Sequence, residues 1–125
     1  MAIRFDNQVA LVTGAGQGLG RCHALALAER GAKVVVNDFG GSIDGSGGST
    51  KAAEVVVEEI TTAGGEAIVD GADVSNLCEV EEMMAKALDK WGRIDVLINN
   101  AGILRDKSFA KMEIEDFRKV IDVHL

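Results

Sequence analysis

Residues 13–21 read TGAGQGLGR, four glycines in seven positions between the apolar run 9–12 and an alanine-rich segment, 22–28. Backbone this bare exposes its N–H groups. Where a strand gives way to a helix, those groups and the positive end of the helix dipole together hold an anion such as a pyrophosphate. The spacing G-x-G-x-x-G fails, because counting from Gly14 the last position is Leu19 and counting from Gly16 it is Arg21. The pattern T-G-x-x-x-G-x-G fits, with Gly14 at the turn, Gly18 where a ligand approaches, and Gly20 where helix packs on strand. A glycine-rich turn can also be no more than a tight connection, so its neighbours matter. Asp38 closes the run KVVVND, 18 positions after Gly20. A carboxylate there can accept hydrogen bonds from both hydroxyls of an adenosine ribose and repels a 2′-phosphate, which favours NAD over NADP. Its plainer role is to cap the following loop. GADVSN places Asp73 and Val74 after a third apolar run. NNAG, residues 99–102, closes a fourth, with two amides to tie strand ends together and two small residues to admit a flat ring.

Such residues need a scaffold that brings four strand ends to one edge. Short β-branched or apolar runs fall at 9–13, 33–37, 67–69 and 94–98, and helical patterns at about 19–30, 49–63, 76–91 and 114–125. The βαβαβαβα order predicts a doubly wound, Rossmann-type α/β fold with a parallel sheet and right-handed crossovers, in one domain spanning 1–125. Ala53, Val56, Val57 and Ile60 in the second helix, and Leu77, Val80, Met84, Ala87 or Leu88, and Trp91 in the third, read as core stripes. GGSIDGSGG, residues 40–48, reads as a surface loop near the ligand. No internal repeat is present.

A chain of 125 residues is the size of one domain, able to bury roughly 65–70% of its unfolded surface. Its 47% hydrophobic and 26% charged content is that of a globular α/β protein, and no apolar run has the length of a membrane span. The start, MAIRFDNQ, has no hydrophobic signal region, which suggests an intracellular, cytoplasmic protein. Cys22 and Cys78 have no ligand-like spacing to each other or to a histidine, so they read as free thiols and no metal site is expected. A net charge of −7 argues against a nucleic-acid partner.

TGAGQGLGR, Asp38, the DV at Asp73 and NNAG, in that order and spacing, resemble the short-chain dehydrogenase/reductase family from about residue 6 to the last residue. The resemblance implies strand order 3-2-1-4 in this chain and NAD as cofactor. It implies that Gly14, Gly18, Leu19 and Gly20 hold the pyrophosphate and Asp38 the adenine ribose, with Gln17 also binding the cofactor. Asp73 and Val74 would then hold adenine, and Asn100, Ala101 and Gly102 the nicotinamide-side ribose. Within the family, NDFGG, the glycine-rich loop and GRIDVLINNAGILRD look like the (3R)-hydroxyacyl-CoA dehydrogenase domains of type 2 peroxisomal multifunctional enzymes and their bacterial relatives. That implies an acyl-CoA substrate, fatty acid metabolism, a homo-oligomer, and a peroxisomal address if the source is eukaryotic. Other members of the family, acting on 3-oxoacyl thioesters, steroids or sugars, are the alternative.

The family's catalysis uses a Tyr and a Lys spaced Y-x-x-x-K with a Ser upstream, and this sequence contains no tyrosine. The 125 residues therefore read as the NAD-binding half, inactive alone, of a parent oxidoreductase. In the segment DVHL, His124 stands where the family commonly places a proton-relay Asn. On a face shared with Phe117 and Ile121, it reads first as a hydrogen-bonded core residue and second as a relay group. Arg105 and Lys107 read first as a solvated pair and second as groups that steer anionic thioester phosphates. EDFRKVIDVHL stops without glycine, proline or a basic last turn, which reads as a truncation; a natural end at Leu125 would instead make the chain a non-catalytic nucleotide-binding module.

Overall fold

The computed structural model describes residues 3–40 and 49–125, so all of the glycine-rich loop except Gly40 lies outside the described residues. Among these residues four strands alternate with helices: β1 (Val9–Val12), α1 (Gly18–Glu29), β2 (Lys33–Asn37), α2 (Lys51–Thr62), β3 (Glu66–Asp70), α3 (Leu77–Trp91), β4 (Val96–Ile98) and α4 (Ile114–His124). A single 3-10 turn, Phe109–Lys111, precedes α4 and has no counterpart in the sequence pattern. All pairings are parallel and the order is β3-β2-β1-β4. β1 is central, with Leu11 opposite both Val35 and Leu97.

The two-residue period of the strands divides the core. Ala10, Val12, Val34 and Val36 face α1 and α2, where Ala24, Leu27, Ala53, Val56 and Ile60 complete one buried cluster. Leu11 and Val35 point to the other side, against Met83 and Ala87 of α3. Each fully buried Val or Leu stabilises the fold by about 1.5–3 kcal/mol, so these two layers hold the sheet on which the loops depend. In α3 the buried stripe agrees with the expected one at Val80, Ala87 and Trp91 and departs from it at Leu77 and Met84. Met83 and Ala87 are interior, with Val80 and Trp91 packed beside them, whereas Leu77 (71% exposed), Met84 and Leu88 face outward. Met83 and Met84 are adjacent apolar residues about 100° apart around the helix, so the stripe shifts by one position there.

Local chemistry sets the element ends. Asn76 caps α3 by accepting from the Glu79 N–H at 3.3 Å, and Gly92, at φ 75°, terminates it in the left-handed region. Asp95 accepts the Val9 N–H at 2.8 Å and pairs with Arg93, fixing the entry of β4 beside β1. β4 begins at Val96 rather than residue 94 and pairs only with β1 among the described residues, leaving Leu97 57% exposed.

Candidate functional site

The loop from β1 to α1 is fastened to the ends of its two neighbouring strands. Gly14 turns the chain at φ 62°, after which the Ala15 N–H donates to the Asn37 carbonyl at 2.8 Å and the Gly16 N–H to Asp38 Oδ2 at 2.8 Å. On the other side, Asn100 Nδ2 donates to the carbonyls of Thr13 (3.1 Å) and Gly14 (3.0 Å). The Thr13 hydroxyl accepts the N–H groups of Asn100 and Ala101, each at 3.0 Å. Only one of the two asparagines expected to tie strand ends does so, since Asn99 is exposed. Glycine is required where these segments meet. A Cβ on Gly20 would stand 2.2 Å from the Gly14 carbonyl oxygen, and one on Gly14 would stand 2.9 Å from Ala101 Cα. Gly18 differs: at φ 60° its side-chain direction meets open space.

Helix α1 therefore begins with its backbone exposed. Its N-cap, Gln17, makes no side-chain capping bond, and the first turn carries no acidic residue. A helix start leaves its first N–H groups without intrahelical partners, and these groups with the dipole favour an anion.

A cleft of about 660 Å³ opens along this carboxyl edge of the sheet. Among the residues expected to bind, Gly14, Gln17, Leu19, Asp38, Asp73, Val74, Asn100, Ala101 and Gly102 line it, as does His124, whereas Gly18 and Gly20 do not. Gly20 is buried beneath the loop, where the absence of a side chain lets α1 pack against the Gly14 turn. Asp38 both caps and faces the cleft: Oδ1 accepts from the Gly40 N–H at 2.7 Å while Oδ2 holds Gly16. Asp73 organises its own turn, with Oδ1 accepting from the Ser75 N–H at 2.9 Å and hydroxyl at 2.6 Å.

His124 Nε2 lies 3.1 Å from the Ile103 nitrogen and 3.2 Å from its oxygen, so its tautomer decides whether it accepts or donates there. The ring packs on Gly102, where a Cβ would come within 2.7 Å of it. It is hydrogen-bonded as expected, but it is exposed at the cleft wall rather than part of the core. Arg105 and Lys107 also depart from a solvated pair. Both close on buried Asp116 of α4, at 2.9 and 2.8 Å. The hydrogen bond from Lys107, then that from Arg105, holds the Asp116 carboxyl below the usual carboxylate range. The same bond to Asp116 raises the Lys107 ammonium. These cations anchor the segment after β4 to α4.

Thr13, Asn37, Ala72, Ile103, Lys119 and Val123 were missed as functional positions, and all but Thr13 line the cleft. Thr13 was visible as the first letter of the glycine pattern, and Lys119 and Val123 share a helical face at i, i+4. Ala72 and Ile103 carry no chemical signal of their own. Among the described residues, no three His, Cys, Asp or Glu side chains gather into a metal site, and no helix is long and apolar enough to cross a membrane.

A parallel sheet in this order, with a glycine-rich β1–α1 loop at its carboxyl edge, defines a nucleotide-binding class of α/β fold. Residues 8–125 match the family model described as short chain dehydrogenase, and the chain belongs to that family. It is 53% identical over 123 residues to peroxisomal multifunctional enzyme type 2 of Drosophila melanogaster, covering 98% of this chain and 20% of that protein. It is 54% identical to peroxisomal hydratase-dehydrogenase-epimerase of Saccharomyces cerevisiae, covering 98% of this chain and 13% of that one. The chain thus spans a fifth or less of these two relatives. Among solved structures, a short chain dehydrogenase from Mycobacterium avium matches with TM-score 0.86 and 52% identity over 96% of this chain and 41% of its own. A 7α-hydroxysteroid dehydrogenase complexed with NADH and 7-oxo glycochenodeoxycholic acid matches with TM-score 0.84 and 36% identity, covering 95% of this chain and 43% of its own.

Proposed function

We propose that this chain is the NAD-binding part of an oxidoreductase that oxidises a (3R)-hydroxyacyl-CoA to the 3-ketoacyl-CoA. The observation that carries the reading is the uncapped start of α1, with Gly18 open at φ 60°, placed between the Asp38 carboxylate and the Asn100–Thr13 clasp. The donor set fits a dinucleotide. Backbone N–H groups at Gly18, Leu19 and Gly20 suit the pyrophosphate, and a side chain larger than hydrogen at Gly18 would enter its space. The Asp38 oxygens each accept one N–H and have lone pairs left for ribose hydroxyls. Their charge would oppose a 2′-phosphate, which favours NAD. Asp73 and Val74 would hold adenine, and Asn100, Ala101 and Gly102 the other ribose.

Bound nicotinamide supplies the hydride acceptor. The chain's own residues position and enclose. Thr13 and Asn100 fix the ends of β1 and β4, small Ala101 and Gly102 leave room for a ring, and His124 steadies Ile103 on the cleft wall. None of the 125 residues is a tyrosine, so proton transfer of the family's kind needs groups these residues do not supply, and the chain alone should show no turnover. A peroxisomal setting is supported by the names of the two relatives above, and the acyl-CoA class and R configuration by the resemblance carried by NDFGG, the glycine-rich loop and AGILRD. Steady-state kinetics test the reading on the natural protein that carries this chain. Paired R and S 3-hydroxyacyl-CoA isomers, a carrier-protein thioester, steroids and sugar alcohols should give the highest kcat/KM for the R isomer. A sterol, a sugar or the S isomer in first place would remove the substrate assignment.

A further inference from the structure

Asp70, the last residue of β3, is 5% exposed and does not line the cleft, yet two of the three hydrogen bonds to its carboxylate lead towards that site. Its Oδ1 accepts from Asn37 Nδ2 at 3.1 Å and from the Ala72 N–H at 2.8 Å, while Oδ2 accepts from Lys86 Nζ of α3 at 2.8 Å. Asn37 Nδ2 also donates to the Ala72 carbonyl at 3.1 Å, so its amide hydrogens are both engaged and a small ring closes through Asp70, Asn37 and Ala72. A buried carboxylate is costly unless partnered, and an apolar side chain could occupy such a position more cheaply. What the carboxylate adds is registry. It locks the end of β2 to the turn after β3, and those segments carry Asp38 on one side and Asp73 with Val74 on the other.

We infer that Asp70 is a positioning residue for the adenosine end of the cleft, acting through Asn37 and Ala72 without touching the ligand. This rests on the nucleotide reading above. The geometry separates the roles of its two oxygens. Oδ1 carries the registry and can be replaced by an amide oxygen, whereas Oδ2 serves Lys86, whose side chain is 47% exposed and can turn to water.

AMP and nicotinamide mononucleotide are titrated separately, by calorimetry or NMR, against the wild-type protein, Asp70→Asn, Asp70→Ala and Lys86→Met. Asp70→Asn and Lys86→Met should bind AMP within about threefold of wild type, since the Oδ1 bonds survive, while Asp70→Ala should lose about tenfold or more. Nicotinamide mononucleotide affinity should be unchanged throughout. A merely structural role would weaken both fragments together, and that outcome, or full AMP affinity in Asp70→Ala, overturns the inference. If wild type itself fails to bind AMP, the nucleotide reading falls and the inference falls with it, a result distinct from loss in the variant alone. Should Asp70→Ala not fold, the wild-type Asn37 side-chain amide protons decide: slow exchange in the free protein is expected, and rapid exchange overturns it.

Discussion

Replacing Gly20 by alanine sets two effects against each other. Alanine is the better helix former by up to about 1 kcal/mol, and Gly20 is the third residue of α1, so propensity alone predicts a gain. Packing predicts the reverse. The added Cβ would lie 2.2 Å from the Gly14 oxygen, 2.5 Å from Asn100 Nδ2 and 2.9 Å from the Gly14 carbonyl carbon, and two of these are backbone atoms that cannot rotate aside. Relief requires α1 to move away from the turn after β1. Overpacking of this kind costs about 1–3 kcal/mol. Separating Asn100 Nδ2 from the Gly14 carbonyl, now 3.0 Å apart, removes a further ~0.5–1.5 kcal/mol. The penalty exceeds the propensity gain, leaving a net destabilisation of about 1–3 kcal/mol, or roughly 4–11 °C in Tm for a domain of this size. Gly18→Ala is the control. It meets no atom, pays about 1 kcal/mol for its left-handed backbone, and should impair NAD affinity more than stability. Thermal melts and NAD titrations on both variants measure the split. Gly20→Ala with wild-type Tm and wild-type affinity would refute the packing reasoning.

Thr13→Val keeps the shape but removes the acceptor of the Asn100 and Ala101 N–H groups, and should cost about 1–3 kcal/mol as a lower urea midpoint at unchanged m; an unchanged midpoint counts against the clasp. Asp38→Arg should move the NADP/NAD affinity ratio by about tenfold or more towards NADP, and a wild-type protein already indifferent to the 2′-phosphate would contradict the role of Asp38. The depressed pKa of Asp116 stabilises the fold fully above its unfolded value, about 3.9, and this contribution is lost as pH falls through the folded value. The raised pKa of Lys107 acts at the other limit, with its contribution lost as pH rises through the folded value. Asp116→Asn should therefore flatten the acid limb of urea midpoint against pH, and an unaltered limb would show that the pair does not stabilise the fold.

Much of this architecture is legible in the sequence because strand ends and chemistry coincide. KVVVND announces both a buried strand and the carboxylate at its end, and TGAGQGLGR announces both a turn and a helix start. The α3 stripe is legible at Val80, Ala87 and Trp91, whereas Met83 and Met84 are adjacent apolar residues between which periodicity cannot choose. Partners distant in sequence were equally hidden. Nothing local to Arg105 or Lys107 reveals that Asp116 lies against them, and Asp70 reads as an ordinary strand-end acid until Asn37, 33 positions away, is brought to it. His124 looked like a core residue because its apolar helix neighbours were visible and its place at the cleft wall was not.

The central claim is that a dinucleotide lies along the carboxyl edge with its pyrophosphate at the start of α1. Titrating NAD into the isotopically labelled protein and following backbone amide shifts tests it most directly. The largest changes should fall at Gly14, Gly18, Leu19 and Gly20, at Asp38, at Asp73 and Val74, and from Asn100 to Gly102, with NADP producing them only at higher concentration. Saturable shifts confined to the opposite edge of the sheet, around Arg4, Gly31 and Gly64, or no shifts at all, would contradict it.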